Sequence, residues 1–186
     1  MIDFCVLGSG IAGSTIANLL SKKYSVHVFD KARGAGGRSS NKKLKGNLSF
    51  DHGVQYISPK SKEFTKIIQK LSKKKILKTW DGNHLDFTFE KKTLNPKYIG
   101  VKANNALSKY YLKNIKTSFS SQIIKIEHKK YFWEIKLDDN SKHQFKALIL
   151  TCPFPQLKKL AGRYLEKKIS NLKIQMQPNI TVMVAL

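Results

Sequence analysis

Ile2-Asp3-Phe4-Cys5-Val6-Leu7 runs straight into Gly8-Ser9-Gly10-Ile11-Ala12-Gly13, and Ser25-Val26-His27-Val28-Phe29-Asp30 comes one short stretch later. The apolar run 2–7 reads as a buried parallel strand. Ile16, Ala17, Leu19 and Leu20 fall at helical spacing, and 25–30 reads as a second strand. Strand, glycine turn, helix and strand within about thirty residues make one βαβ unit. The three glycines have separate tasks: Gly8 for the turn out of the strand, Gly10 for close approach of backbone to a pyrophosphate, and Gly13 for packing of helix on sheet. The helix starting near Ile11 and Ala12 points its N–H groups and positive dipole end at phosphates. Asp30 lies 22 residues after Gly8, where a carboxylate accepts ribose hydroxyls. A lone Gly-x-Gly-x-x-Gly is weak, but with strand, helix and acid in place it specifies a dinucleotide-binding Rossmann-like domain.

The stretch after Asp30 bears on which dinucleotide. In NAD enzymes the chain normally enters another crossover helix here. This chain runs into Lys31-Ala32-Arg33-Gly34-Ala35-Gly36-Gly37-Arg38. Arg33 and Arg38 are two of only three arginines in the protein, the third being Arg163. A planar guanidinium clamps a pyrophosphate bidentately, which lysine cannot do.

Asp30-Lys31 followed by Gly36-Gly37-Arg38 resembles the second flavin fingerprint of the amine-oxidase superfamily. The run Arg33 to Arg38, with Phe50-Asp51-His52-Gly53-Val54-Gln55-Tyr56, resembles the renalase-like family within it. Asn105-Ala106-Leu107 resembles that family's helix start. Ile123, Ile126 and Trp133 resemble its strand pair near the adenine, and Phe145–Leu150 with Pro153-Phe154-Pro155-Gln156 its strand-to-helix junction. The resemblance implies non-covalent FAD and oxidation of reduced nicotinamides, notably dihydro isomers of NAD(P)H, or of amine-like substrates. Electrons then pass to oxygen. It implies FAD binding by Gly8, Gly10, Ile11, Ala12, Gly13, Asp30, Lys31, Arg33, Gly37, Arg38, Gln55, Ile123 and Pro153. Gln55 and Tyr56 are the flavin-proximal candidates, with no catalytic residue assigned. Ser39, Ser40 and Lys43 depart from the bulkier or Arg-bearing residues of the family.

Along the rest of the chain, Phe64, Ile67, Ile68 and Leu71 predict a helix over 62–72. Alternation of Leu85, Phe87 and Phe89 predicts a strand over 84–90. Ala103, Ala106, Leu107, Tyr110 and Tyr111 mark another helix. Three strands, a β-meander, are expected at about 117–126, 131–138 and 143–150, with a hairpin turn at Asp138-Asp139-Asn140. A helix is expected over 156–164, and Ile180–Leu186 is strand-like.

The 186 residues carry a net charge of +23, with 35 Lys and Arg. Base readers favour arginine, whereas lysines here are scattered, so the charge reads as solvated faces with a general pull on anions and no specific nucleic acid. Two cysteines, Cys5 and Cys152, are too few for a disulfide scaffold and read as buried, inert thiols. No apolar run is long enough to cross a bilayer, and Met1–Leu7 lacks a basic n-region, so a cytoplasmic protein without a membrane partner is expected. Five dispersed histidines form no metal motif. His52 and Asp51 are neighbours on an extended stretch and face opposite ways, which favours packing of His52 over an acid–base pair.

The expected fold is α/β: an FAD/NAD(P)-binding Rossmann-like domain over 1–53 and 100–153, and part of a substrate domain over 54–99 and 154–186. The apolar ending and the lack of a late Gly-Asp element imply a truncated form, completed by a C-terminal chain. The alternatives are a non-catalytic flavin- or ADP-binding fragment and a basic nucleic-acid-binding protein.

Overall fold

The computed structural model describes residues 1–45, 48–81 and 96–184. The elements in order are β1 (Ile2–Leu7), α1 (Ile11–Leu20), β2 (Val26–Phe29), β3 (Asn41–Lys43), β4 (Ser49–Asp51), α2 (Lys62–Lys73), β5 (Leu77–Thr79) and β6 (Tyr98–Gly100). They continue with α3 (Ala106–Leu112), β7 (Lys116–Ser118), β8 (Ile123–His128), β9 (Trp133–Leu137), β10 (Lys142–Leu150), α4 (Phe154–Ala161) and α5 (Lys167–Ser170).

One six-stranded sheet, ordered β7-β2-β1-β10-β9-β8, carries the architecture. β7, β2, β1 and β10 run parallel, while β9 pairs antiparallel with both β10 and β8. β1 is flanked on both sides, with Cys5 beside His27 and Leu148. Its continuous apolar run is the result, because both faces are covered. On one face Val6, Val26 and Val28 pack with Ala17, Ile16 and Leu20 of α1 and Leu112 of α3. On the other, Cys5, Phe29, Ile126, Ile135 and Phe145 lie against Leu157, Leu160 and Ala161 of α4. Each fully buried large side chain contributes about 1.5–3 kcal/mol, so this two-faced layer anchors the fold. β1 leads through α1 to β2 on one side, and β10 joins from the other. That reversal lies at the carboxyl ends of β1 and β10, where ligands usually bind in an open α/β sheet.

A third cluster joins Ile68 and Leu71 of α2 with Leu77 and Leu107. α2 begins as its sequence asks: Ser61 accepts the Phe64 N–H at 3.1 Å, Glu63 sits in the first turn, and Lys70 and Lys73 in the last. The Asp138–Asn140 turn is present, with Asn140 at φ 68.

Four expectations need correction. The single strand over 117–126 is two strands, β7 and β8, at opposite edges of the sheet. Ser120 breaks it at φ 52, with its N–H bonded to Ala32 O at 2.9 Å. The helix marked from Ala103 starts at Ala106, after a turn in which Ala106 N–H bonds Ala103 O. The helix over 156–164 starts at Phe154, with proline tolerated in its first turn, and after Ala161 tightens to a 3-10 turn over Gly162–Tyr164. Residues 180–184 form no strand: among the described residues nothing pairs with them, and Ile180 and Val182 are 90% and 80% exposed. Residues 185–186 and the strand expected over 84–90 lie outside the described residues. Two short hairpin pairings, β3–β4 and β5–β6, were not expected. Among the described residues no helix is long and apolar enough to cross a membrane.

Candidate dinucleotide site

Gly8 leaves β1 at φ +105, and a Cβ there would stand 2.6 Å from Thr151 Oγ1. Thr151, at the end of β10, donates to Leu7 O at 2.8 Å, tying the ends of the two strands together. A Cβ on Gly13 would stand 1.9 Å from Gly8 O. These two glycines are therefore demanded by the protein itself. Gly10 differs. It holds an ordinary φ of −69, and a Cβ there would meet nothing nearer than Gly37 Cα at 3.7 Å. No protein contact demands a glycine at that position. α1 starts beside it with no side-chain cap and no acidic residue in the first turn, and Ile11 and Ala12 are exposed. No side chain of the helix itself offsets the positive end of its dipole.

The Arg33–Arg38 loop folds against this turn. Gly10 and Gly36 form a parallel bridge, and Gly36 N–H donates to Ser9 O at 3.1 Å. Gly36 and Gly37 both adopt positive φ, 137 and 54, where side chains are strained. The two glycine-rich stretches thus meet backbone to backbone as one wall of the candidate cleft, and Gly37 and Arg38 are exposed. Lys31 and Arg33 are also exposed.

Asp30 is held firmly. One carboxylate oxygen accepts from Ser9 N–H at 2.7 Å and Ser9 Oγ at 2.6 Å, and the other from Ala32 N–H at 2.8 Å. Its position beside the turn is preorganised, and the oxygen bonded to Ala32 N–H keeps acceptor capacity for a ribose hydroxyl. Ser121 N–H bonds Asp30 O at 3.0 Å, which brings the start of β8 to the same end of the sheet. Ile123, two residues on, buries its side chain with Phe29 and Leu137. Pro153 precedes α4 two residues after Thr151.

Gln55 and Tyr56 stand on a second wall. Val54 N–H bonds Arg38 O at 3.0 Å, and a Cβ on Gly53 would lie 2.0 Å from that oxygen. Tyr56 is half-exposed, its ring 5.6 Å from Trp80 with Lys97 Nζ 4.3 Å over it. Asn104 holds the wall from behind, bonding the carbonyls of Val54 and Gln55. Sequence reasoning passes over Asn104; the tandem Asn104-Asn105 before an apolar helix is the available signal.

Asp51 and His52 part company as expected. The Asp51 carboxylate accepts from Asn104 N–H and Asn41 Nδ2, while His52 Nε2 lies 3.2 Å from Ser40 Oγ. Cys5 is fully buried, and burial pushes its thiol well up. Cys152 is only half-buried, a correction to the expectation. Burial raises its thiol as well, while a backbone hydrogen bond and the nearby Lys31 charge act the other way. A separate cleft of about 840 Å³ between α2 and β5–β6 is lined by Gln69, Leu77, Tyr98 and Val101 among others. It shares no residue with the glycine cleft.

Residues 6–71 match the model of the NAD(P)-binding Rossmann-like domain. Mouse renalase is 30% identical over 168 residues, 84% of this chain. The chain is similar to renalase over that stretch and spans about half, 48%, of the mouse protein's length. Solved structures share its fold. An Exiguobacterium protein described as a protoporphyrinogen oxidase matches with TM-score 0.69 at 8% identity, over 91% of this chain and 63% of its own. A putrescine oxidase matches with TM-score 0.64 at 12% identity, over 86% of this chain and 60% of its own.

Proposed function

We propose that this renalase-like chain binds FAD and serves an FAD-dependent oxidoreductase acting on reduced nicotinamides, dihydro isomers of NAD(P) among them, or on amine-like substrates. One observation carries the cofactor reading. Gly10 is a glycine that no protein contact requires, placed where the uncapped start of α1 meets the Gly36–Arg38 loop. A close-lying pyrophosphate explains all three features. Gly8, Gly10 and Gly13 with Ile11 and Ala12 would hold the phosphates, helped by Gly37, Arg38 and Arg33. Asp30 would take the ribose, with Lys31, Ile123 and Pro153 along the adenosine side. Gln55 and Tyr56 would approach the isoalloxazine. When bound, the flavin supplies hydride acceptance and return of the electrons to oxygen. The chain supplies binding, orientation and electrostatics.

On this reading residues 1–53 and 100–153 form the FAD domain, and 54–99 with 154–186 part of a substrate domain, in a cytoplasmic protein with no specific nucleic-acid partner. Purified chain refolded with FAD is expected to keep flavin absorbance after desalting. Retention of NAD with no flavin would overturn the FAD assignment.

A second reading is favoured by the exposed apolar side chains of Leu172, Ile174, Met176, Ile180, Val182 and Val184. In it this chain holds the nucleotide, and a complementing C-terminal partner covers those side chains and completes the substrate cavity. Oxygen consumption with dihydro-NAD isomers, with and without such a partner, separates the two. Turnover by the chain alone favours the first.

A further inference from the structure

We infer that Asn104 is a positioning residue: it sets where the Gln55–Tyr56 wall stands relative to the Gly36–Arg38 loop, and with it the surroundings of the flavin ring. The inference rests on the FAD reading above.

Asn104 is 1% exposed and spends its whole carboxamide on this task. Its two N–H groups donate to consecutive carbonyls, Val54 O at 2.8 Å and Gln55 O at 2.9 Å. Its side-chain oxygen accepts Gly100 N–H at 2.9 Å. Its backbone N–H bonds both oxygens of Asp51, at 3.0 and 3.1 Å. An asparagine has two donors and an acceptor to offer, and all are used on one strip of chain, 51–55, and on the turn that supports it.

The neighbouring residue grasps the other wall. Asn105 Nδ2 donates to Ala35 O at 3.2 Å, and its Cβ stands 2.8 Å from where a Cβ on Gly36 would be. One peptide unit, about 3.8 Å between Cα atoms, therefore links the holder of residues 54–55 to the holder of residues 35–36. Val54 N–H to Arg38 O closes the circuit. The two walls of the cleft cannot shift independently without breaking one of these bonds.

The bracket also carries a cost that packing alone does not explain. Asn105 Oδ1 is buried without a hydrogen-bond partner among the described residues, as are Ser108 Oγ and Ser72 Oγ outside the bracket. Unsatisfied buried polar atoms are disfavoured, and where they persist they call for an explanation. Fixed spacing of the two walls supplies one.

The two asparagines should differ in effect, since ADP touches only the glycine loop side and FAD reaches both walls. The test uses the full chain and variants refolded with FAD or ADP. In Asn104→Ala, ADP affinity should stay within about twofold, whereas FAD binds about tenfold more weakly, the scale of losing buried hydrogen bonds. The visible absorbance and circular dichroism of the bound flavin should also shift. Asn104→Asp keeps the acceptor for Gly100 but loses both donors, and should reproduce the spectral shift. Asn105→Ala should weaken ADP and FAD together. Should Asn104→Ala not fold, amide hydrogen exchange in the wild-type chain decides: FAD, and not ADP, should protect the amides of residues 55–57. Unchanged flavin spectra in both Asn104 variants, equal losses of ADP and FAD, or no FAD-specific protection would overturn the inference. Wild-type chain that binds neither ADP nor FAD would fell the cofactor reading itself, and this inference with it.

Discussion

The two walls of the cleft are built by opposite means. The Gly8–Gly13 turn and the Gly36–Arg38 loop meet backbone to backbone, and their shape follows from residues that lack a side chain. A Cβ at Gly13 would lie 1.9 Å from Gly8 O, and one at Gly37 3.1 Å from Gly10 Cα. The Asp51–Tyr56 wall depends instead on a side chain about 50 residues downstream, Asn104, reaching back to its carbonyls. The first construction fails by collision. The second has one collision of its own, at Gly53 against Arg38 O, but its long-range hold from Asn104 fails by losing hydrogen bonds, which is the milder failure.

The largest effect should come from the collisions. Gly13→Val drives a branched side chain into Gly8 O, backbone against backbone, so neither can give. A loss of about 3 kcal/mol or more is expected, against a total domain stability of roughly 5–15 kcal/mol. Urea unfolding checks it. Gly10→Ala sharpens the contrast within the same motif. Its φ is ordinary and its neighbours leave room, so unfolding should be nearly unchanged while ADP binding weakens. Similar losses of stability in both variants would erase the distinction between a glycine kept for the fold and one kept for a ligand.

Next in size is the arginine pair. Arg38 is exposed beside Gly37, whereas Arg163 donates to Ile126 O at 2.9 Å and lies over the Tyr164 ring. Arg38→Ala should weaken ADP or FAD binding by roughly 2–4 kcal/mol, the scale of a lost charge-assisted pair. Arg163→Ala should leave affinity alone and lower stability by about 1 kcal/mol. Isothermal titration and thermal melts separate the two. Equal losses of affinity would show that bulk charge, and not a site, attracts the nucleotide.

The same contrast explains what is legible in the sequence. The βαβ unit and its cleft can be read because glycine spacing and apolar runs are local signals, and Gly8, Gly10, Gly13, Asp30 and the Gly36–Arg38 loop do converge. The break at Ser120 is hidden because a serine, not a glycine, takes the left-handed conformation there. The β3–β4 and β5–β6 strands are three residues each, too short to show a period. Asn104 cannot be found from spacing, since its partners Asp51, Val54 and Gln55 come close only in the fold. Ile123 is a candidate through its backbone alone, because its side chain lies in the core with Phe29.

The smallest expected effect is a pH dependence confined to the sheet side of this comparison. His27 lies on β2 with its ring 4.1 Å from Phe29 and edge-on to Phe145, and Nε2 2.8 Å from Ser118 Oγ. Burial, then the charges of Lys116 and His143, lower its pKa from 6.5 to about 4. The folded pKa is the depressed one, so the unfolded chain takes up the proton first. The stability that depends on neutral His27 is complete above pH 6.5 and is lost as pH falls toward 4. Glu127, lowered from 4.5 to about 2 by Lys125 and Lys129, acts in a separate and more acidic window. Thermal melts from pH 7 to 4 should therefore fall steadily, and His27→Phe, which cannot take a proton, should flatten that interval. Amide exchange should show β2 loosening before residues 54–56, which the Asn104 carboxamide holds without a titrating group of its own. A wild-type profile flat between pH 7 and 4, or a slope that survives in His27→Phe, would place the acid sensitivity elsewhere in the molecule.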